Sequence, residues 1–349
     1  MKKDELLTLQ KWTQNLDNAE NDSETTVDIS NLGMSEEALF AHEEHNNLES
    51  EKITAPRYSY WKSVFRVFFK RKINIIFLAL LGFIIVFAYI YPAIIGYTKE
   101  SAYDNVLDTS AQFLKPADAI SRYGFSLHWI LGTGNKSQST FDYIWYGSSI
   151  SISLAFVCAG INMLVGVLIG AIWGFSKKVD IVMTEVYNIV GNVPWVLVIT
   201  VMIMILTASF WTMVFALTVT GWLAIAYFIR TQVIIIRDRE YNLASRCLGT
   251  PIVRLAFKNI LPFMTSVIVT LLATEIPSYI SMEVFLSFIG IGMSDMSLGK
   301  IIQEAQATMS VPARSITFWA PVVISAIITI VLYVVGQNLG DASDPRTHM

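Results

Sequence analysis

Glu185, Glu275 and Glu283 are ionisable groups set within or beside long apolar runs, where a charge is costly and usually faces a water-filled path or a partner. Such carboxylates could serve acid–base chemistry. Glu275 and Glu283 stand eight residues apart in one run, however, or about 12 Å along a helix axis, too far for a close carboxylate pair. His42-Glu43-Glu44-His45 has the residue types of a metal site. A helical zinc site of the His-Glu-x-x-His kind needs its histidines four apart with Glu after the first, and here they are three apart, so no metal is expected. Cys158 lies in an apolar run and Cys247 in a basic stretch, without neighbouring Cys or His to complete a ligand set and with no disulfide implied. Gly132–Ser137 faintly mimics a phosphate loop but lacks both Gly-x-x-x-x-Gly-Lys-Ser/Thr and a preceding strand. With no nucleotide loop, triad spacing or metal cluster, the chain is expected to be a non-enzyme without a cofactor of its own. Any energy it uses must come from a partner.

The elements around these residues are apolar helices. A chain of 349 residues with 54% hydrophobic and 15% charged residues is too apolar for a soluble globule of this size, so the fold class is all-α integral membrane. The formal charge of −3 conceals an asymmetry, with acids before residue 56 and bases at the edges of apolar runs. The start, MKKDELLTLQKW, has no apolar core, so no cleavable signal peptide is expected and the first span acts as the targeting signal. Residues 1–56 read as an acidic, disordered tail with at most a short helix near Ser35–Phe40. Residues 57–72 interleave Lys62, Arg66, Lys70, Arg71 and Lys72 with Trp61, Phe65, Phe68 and Phe69. A membrane span follows directly, which favours a basic amphipathic segment on lipid headgroups over a nucleic-acid surface.

Runs 73–95, 148–175, 181–206, 210–229, 263–291 and 318–339 give about six spans, each at or above the roughly 20 residues a crossing helix needs. Residues 96–142 form an external loop, and 143–340 the five-helix core. Alternation then places Lys177-Lys178, the loop 237–262 and the terminus 341–349 on the cytoplasmic side. The basic short loops agree with that orientation. Gly160, Gly166, Gly170 and Gly174 offer a small-residue face for helix packing. Asn188, Asn192, Pro194 and Pro277 are the polar or helix-breaking exceptions. Glu185, Glu275, Glu283 and Asn192 are candidates for a translocation path or its gate, against the alternative of hydrogen bonds between helices or a position near a span's end, as for Glu185 beside a cytoplasmic end.

The polar stretch RDREYNLASRCLGTPIVRLAFKNILP, residues 237–262, interrupts these runs and reads as a water-exposed docking surface. Glu240 opens a short helix on which Tyr241, Ala244 and Leu248 share a face kept shallow by Ala244 and Ser245. Gly249 is placed to take the left-handed conformation that closes it, Thr250 to cap a second helix, and Pro251 to occupy that helix's first turn. Arg254 and Lys258 form a cationic edge, and Pro262 is expected to stop the second helix.

Ala244-Ser245, Gly249 and Leu261-Pro262 resemble the Glu-Ala-Ala loop of membrane subunits of bacterial ABC importers, with Leu243 in place of the Glu and Ser245 in place of the second Ala. Glu283-Val-Phe-Leu-Ser-Phe-Ile-Gly-Ile-Gly292 resembles a segment of the oligopeptide, dipeptide and nickel permeases. The ending Asn338-Leu-Gly-Asp341 with Asp344-Pro345-Arg346 is similar to theirs. His128-Trp-Ile-Leu-Gly-Thr133 resembles, with an extra residue after Trp129, the segment before their second span. The resemblance covers about residues 60–349. It implies the type I importer permease fold with 237–262 as coupling helix, a heterodimer with a second permease, two cytoplasmic ATPases that bind ATP and Mg, and an external peptide-binding lipoprotein. A nickel or other small-solute permease is the alternative. An ion-coupled transporter would show inverted repeats, which are not found, and would leave the basic loop unexplained.

Overall fold

The computed structural model describes residues 60–98, 109–312 and 314–344. The acidic tail, Ser35–Phe40, His42–His45 and the terminal Pro345-Arg346 lie outside the described residues. Helix α1 (Tyr60–Lys70) buries Val64 and Phe68 against Val335, Leu339 and Ala342. Its opposite side exposes Trp61, Phe65 and Phe69 beside Lys62, Arg66 and Lys70. Apolar rings flanked by cations suit the headgroup boundary. The Asn74 side chain donates to the Phe68 carbonyl at 2.8 Å and holds the corner into α2 (Lys72–Ile94).

The connection to the next span carries a short helix α3 (Pro116–Tyr123) and closes on α4 (Thr140–Phe175). Helix α4 starts eight residues before the apolar run because Ser139 caps it, its hydroxyl accepting from the Asp142 N–H at 3.1 Å. Asp142 also accepts from the Tyr91 hydroxyl at 2.6 Å and pairs with His128 Nδ1 at 2.7 Å, tying the connection to α2 and α4.

The run 181–206 is not one straight helix. It divides into α5 (Lys177–Gly191) and α6 (Trp195–Ile205), bent by 76°. Pro194 cannot donate a backbone bond and stands at the N-cap of α6, which explains the break. After α7 (Phe210–Arg237) come α8 (Glu240–Cys247) and α9 (Ile252–Leu255), then α10 (Thr265–Phe288), α11 (Leu298–Glu304) and α12 (Ile316–Ser343). Among the described residues five helices are long and apolar enough to cross a membrane, or six where the bent pair counts as one span, against the six apolar runs of the sequence. Among the described residues the only β pairing is the isolated bridge Thr133–Ser139.

Helices α4 and α7 form the central packing. A Cβ on Gly166, Gly170 or Gly174 would fall within 3 Å of Ile225, Ala226 or Val233, so these glycines admit the partner helix at close range. Gly160 does not belong to this face, since a Cβ there would meet nothing within 4 Å. Gly336 and Gly340 bring α12 equally close to Ala273 and Thr270 of α10. These contacts gather α1, the C-terminal ends of α4, α7 and α12 and the start of α10 at one end of the molecule, called here the docking end.

Candidate functional site

The docking end is built around α8. Gly249 takes φ +80°, its N–H bonds to the Arg246 carbonyl at 2.9 Å, and the Thr250 N–H reaches back to the Ser245 carbonyl at 3.1 Å. This paired closure is the Schellman arrangement, and a side chain at φ > 0 would strain it. Thr250 does not cap α9. Pro251 itself is the N-cap, with no side-chain bond, so the turn's geometry comes from the proline ring and the Gly249 reversal. Pro262 does not stop the helix either. A π turn over Ala256–Ile260 and a 3-10 turn over Leu261–Met264 absorb the missing N–H and pass the chain into α10.

Tyr241, Ala244 and Leu248 all stand exposed, Leu248 at 87% of its surface, with Glu240, Arg254 and Lys258 also exposed and Ser245 turned to the Tyr241 carbonyl at 2.9 Å. Leu243, in place of an acid, is exposed as well, so this surface is more apolar there. Pro262 is exposed, Leu261 half-buried, and the Tyr241 ring stacks on Phe263 at 6.0 Å between centroids.

What fixes α8 is a pair of anchors that the sequence pattern does not reveal. Asn242 is fully buried and donates to the Ile236 carbonyl at 2.9 Å. Arg237 Nη1 donates to the Gly174 carbonyl at 2.8 Å, joining the ends of α7 and α4. Two turns before Arg237, Arg230 Nε donates to Asp180 Oδ1 at 2.5 Å, and Trp173 Nε1 donates to the same oxygen at 2.9 Å. The guanidinium lies over Trp173 and Tyr227, 5.7 and 5.5 Å from the ring centres, and Tyr187 stacks on Tyr227 at 4.4 Å. This cluster binds α4, α5 and α7 together just beneath α8. Rigid packing of that kind transmits displacement rather than absorbing it.

Glu283, Glu275 and Asn192 occupy three different environments. Glu283 is fully buried and lines no surface of this chain. It accepts from Ser151 at 2.8 Å, Ser287 at 2.9 Å and Ser297 at 2.5 Å. Ser151 and Ser297 in turn accept from the Leu298 and Lys300 N–H groups, so one carboxylate fastens α4, α10 and the start of α11. A Cβ on Gly299 would stand 2.6 Å from its oxygen. In place of a path or gate group, the structure makes Glu283 an internal latch, because a desolvated carboxylate needs this many donors. Glu275 is half-buried one turn before Tyr279, whose hydroxyl accepts from buried Asn162 at 2.5 Å. Asn192 is exposed at the α5 break, donating to the Asn188 carbonyl at 2.5 Å. No group of three or more His, Cys, Asp or Glu side chains among the described residues could hold a metal.

Residues 166–349 match the family described as the inner membrane component of binding-protein-dependent transport systems. The chain belongs to this family. Residues 59–116 also match the N-terminal transmembrane domain of oligopeptide transport permease C. The chain is 42% identical over 311 residues to the oligopeptide transport system permease protein AmiD of Streptococcus pneumoniae, covering 88% of this chain and 97% of that protein. It is 31% identical over 305 residues to the permease OppC of Bacillus subtilis, covering 85% and 93%. Against the dipeptide permease DppC of the same organism it is 29% identical over 315 residues, covering 88% and 92%. As a member of the family, the chain is a multi-pass membrane subunit of a transport system. The first model takes in the docking loop and both later carboxylates. Ser151, which bonds Glu283, and Asn162, which bonds Tyr279, fall on α4 between the two matched segments.

Proposed function

We propose that this chain is a permease subunit of an ATP-driven ABC importer of peptides, forming the translocation path with a second permease. In this reading two cytoplasmic ABC ATPases, which carry ATP and Mg, grip the docking end, and an extracytoplasmic peptide-binding lipoprotein delivers cargo at the other end. The observation that carries the reading is α8 itself, a short helix closed by a left-handed Gly249 and pinned by buried Asn242, yet with Tyr241, Ala244 and Leu248 exposed. A helix held this firmly with its apolar face uncovered fits a groove on another protein. The bases at the docking end favour its cytoplasmic placement, and with it cytoplasmic chain termini. Peptide is favoured over nickel because the relatives above are oligopeptide and dipeptide permeases.

Mechanically, closure of the ATPases around ATP displaces α8, and the Arg237 and Arg230 contacts pass that displacement to α4, α5 and α7. The path then alternates between outward- and inward-open states. Ala244→Arg overfills the groove and Gly249→Pro breaks the corner. Each is expected to abolish peptide uptake and ATPase co-purification while leaving membrane insertion intact. Uptake and co-purification that survive both changes would remove the docking assignment.

A further inference from the structure

One line along α5 carries polar side chains on the side away from the chain's own core, beside exposed Ile181 and Ile189. Val179, Met183, Tyr187 and Val190 pack inward against Trp173, Leu223 and Ala226. At 3.6 residues per turn, Glu185, Asn188 and Asn192 lie within roughly 40° of the opposite direction, on the line farthest from the chain's own core. All three are exposed, and Glu185 makes no hydrogen bond or ion pair among the described residues. Residues 191–195, where α5 and α6 part, are exposed as well. Neither an unpaired carboxylate nor a broken helix can face hydrocarbon; both need water or protein.

The charge balance of the spans indicates what that line would receive. Arg230 is matched by Asp180, and Glu283 is satisfied by three serine hydroxyls. Glu185 and Glu275 have no cation among the described residues. Helix α7 serves as a ruler for their depth. Gly221 lies against the Tyr279 hydroxyl and Tyr227 against Tyr187, levels six residues or about 9 Å apart. Glu275 is four residues on the docking side of Tyr279, and Glu185 two on the docking side of Tyr187. The two carboxylates therefore come within about one helical turn of the same depth. Beyond Glu185, α5 ends in its carbonyl pole, which also favours a positive group. The line from Glu185 to Asn192 runs about 10 Å and offers a carboxylate followed by two amides, suited to an ammonium group and the peptide bonds beside it.

We propose that this outer line of α5 contacts cargo within the translocation path, Glu185 receiving an ammonium or guanidinium group of the peptide and Asn188 and Asn192 its backbone. The inference rests on the peptide-importer reading and adds a preference for cationic peptides at this station.

The test uses the whole complex, with its second permease, ATPases and binding lipoprotein, reconstituted in vesicles. A lysine-bearing tripeptide and its glutamate-bearing counterpart are imported in competition. Glu185→Gln is expected to lower the lysine-over-glutamate uptake ratio about fivefold, the scale of one partly solvated ion pair, and Glu185→Lys to lower it further. A ratio unchanged in both variants overturns the inference. In parallel, Glu185→Cys in a Cys247→Ser background is treated with a water-soluble thiosulfonate. Labelling that the lysine peptide slows during ATP turnover supports a cargo contact. Absent labelling overturns it and indicates cover by the second permease; labelling indifferent to peptide overturns it as well, by showing an accessible face that cargo does not touch. A wild-type complex that imports neither peptide removes the peptide reading and this inference together, whereas one that imports both with unaltered ratios in the variants removes only the inference.

Discussion

Glu283 and α8 satisfy their polar groups in opposite ways. The Glu283 carboxylate is enclosed, and every donor around it belongs to this chain, so the contact locks α4, α10 and α11 into one arrangement. Around α8 only the backbone is locked, through Asn242 and the Gly249 closure, while the side chains that could bind are left outside. The first design favours one conformation of the chain. The second holds a rigid backbone with its apolar side chains uncovered. The Arg230 cluster has something of both, mostly buried yet joined to α7 two turns before Arg237. Position within the membrane does not decide the role of a carboxylate; the donors that neighbouring helices supply do.

The contrast is broken most severely at the enclosed site. Glu283→Ala strands three hydroxyl donors in a dry interior at roughly 1–3 kcal/mol each. A large drop in thermal unfolding midpoint in detergent, with poor accumulation in membranes, is expected, while Glu283→Gln keeps most of the acceptors and loses less. A Glu283→Ala chain with a wild-type midpoint would show that the latch holds nothing. Next comes Arg230→Ala, which takes the cation from Asp180 and leaves it the Trp173 bond in that cluster, at a cost of roughly 2 kcal/mol. It should lower both the midpoint and the transport rate, and Arg230→Lys should recover less than half of either, because a point charge cannot reproduce the planar stacking on Trp173 and Tyr227.

Smaller effects sharpen the other side of the comparison. Asn242→Ala removes one buried hydrogen bond, worth about 1 kcal/mol. Faster amide hydrogen exchange confined to α8, with an unchanged global midpoint, is the expected signature. Gly249→Ala meets open space for its methyl group and suffers only from the positive φ, about 1–2 kcal/mol of local strain. It should reduce coupling of ATP hydrolysis to uptake partially, where Gly249→Pro removes it. Equal loss from the alanine and proline variants would mean that the contact surface, not the corner's geometry, was damaged.

Much of the architecture was legible because lipid imposes a simple rule on sequence. A span must be apolar for about 20 residues, and charge marks its ends. The docking helix was legible for a related reason, since Gly249 is a local backbone signal that needs no distant partner. The misses have one cause. Apolar runs drawn as 181–206 and 210–229 stop one residue short of Asp180 and Arg230, so the spans as drawn leave out two partners fifty residues apart. Asn242 looked like any polar loop residue, and Gly160 shared the spacing of glycines whose contacts it lacks. Pro262 carried a real restriction on the backbone, but a π turn ahead of it absorbed the restriction.

The chain's residues, taken alone, determined that it is a multi-pass membrane protein with about six apolar runs and where a short helix closed by Gly249 interrupts them. Both follow from local hydrophobicity and local backbone preference. Only the folded arrangement decided that Glu283 is enclosed while Glu185 is left without a cation, and that the third crossing breaks at Asn192. Those outcomes depend on which side chains from α4, α7, α10 and α11 arrive at each position. A hydrogen bond across 132 residues leaves no trace in the spacing of either partner.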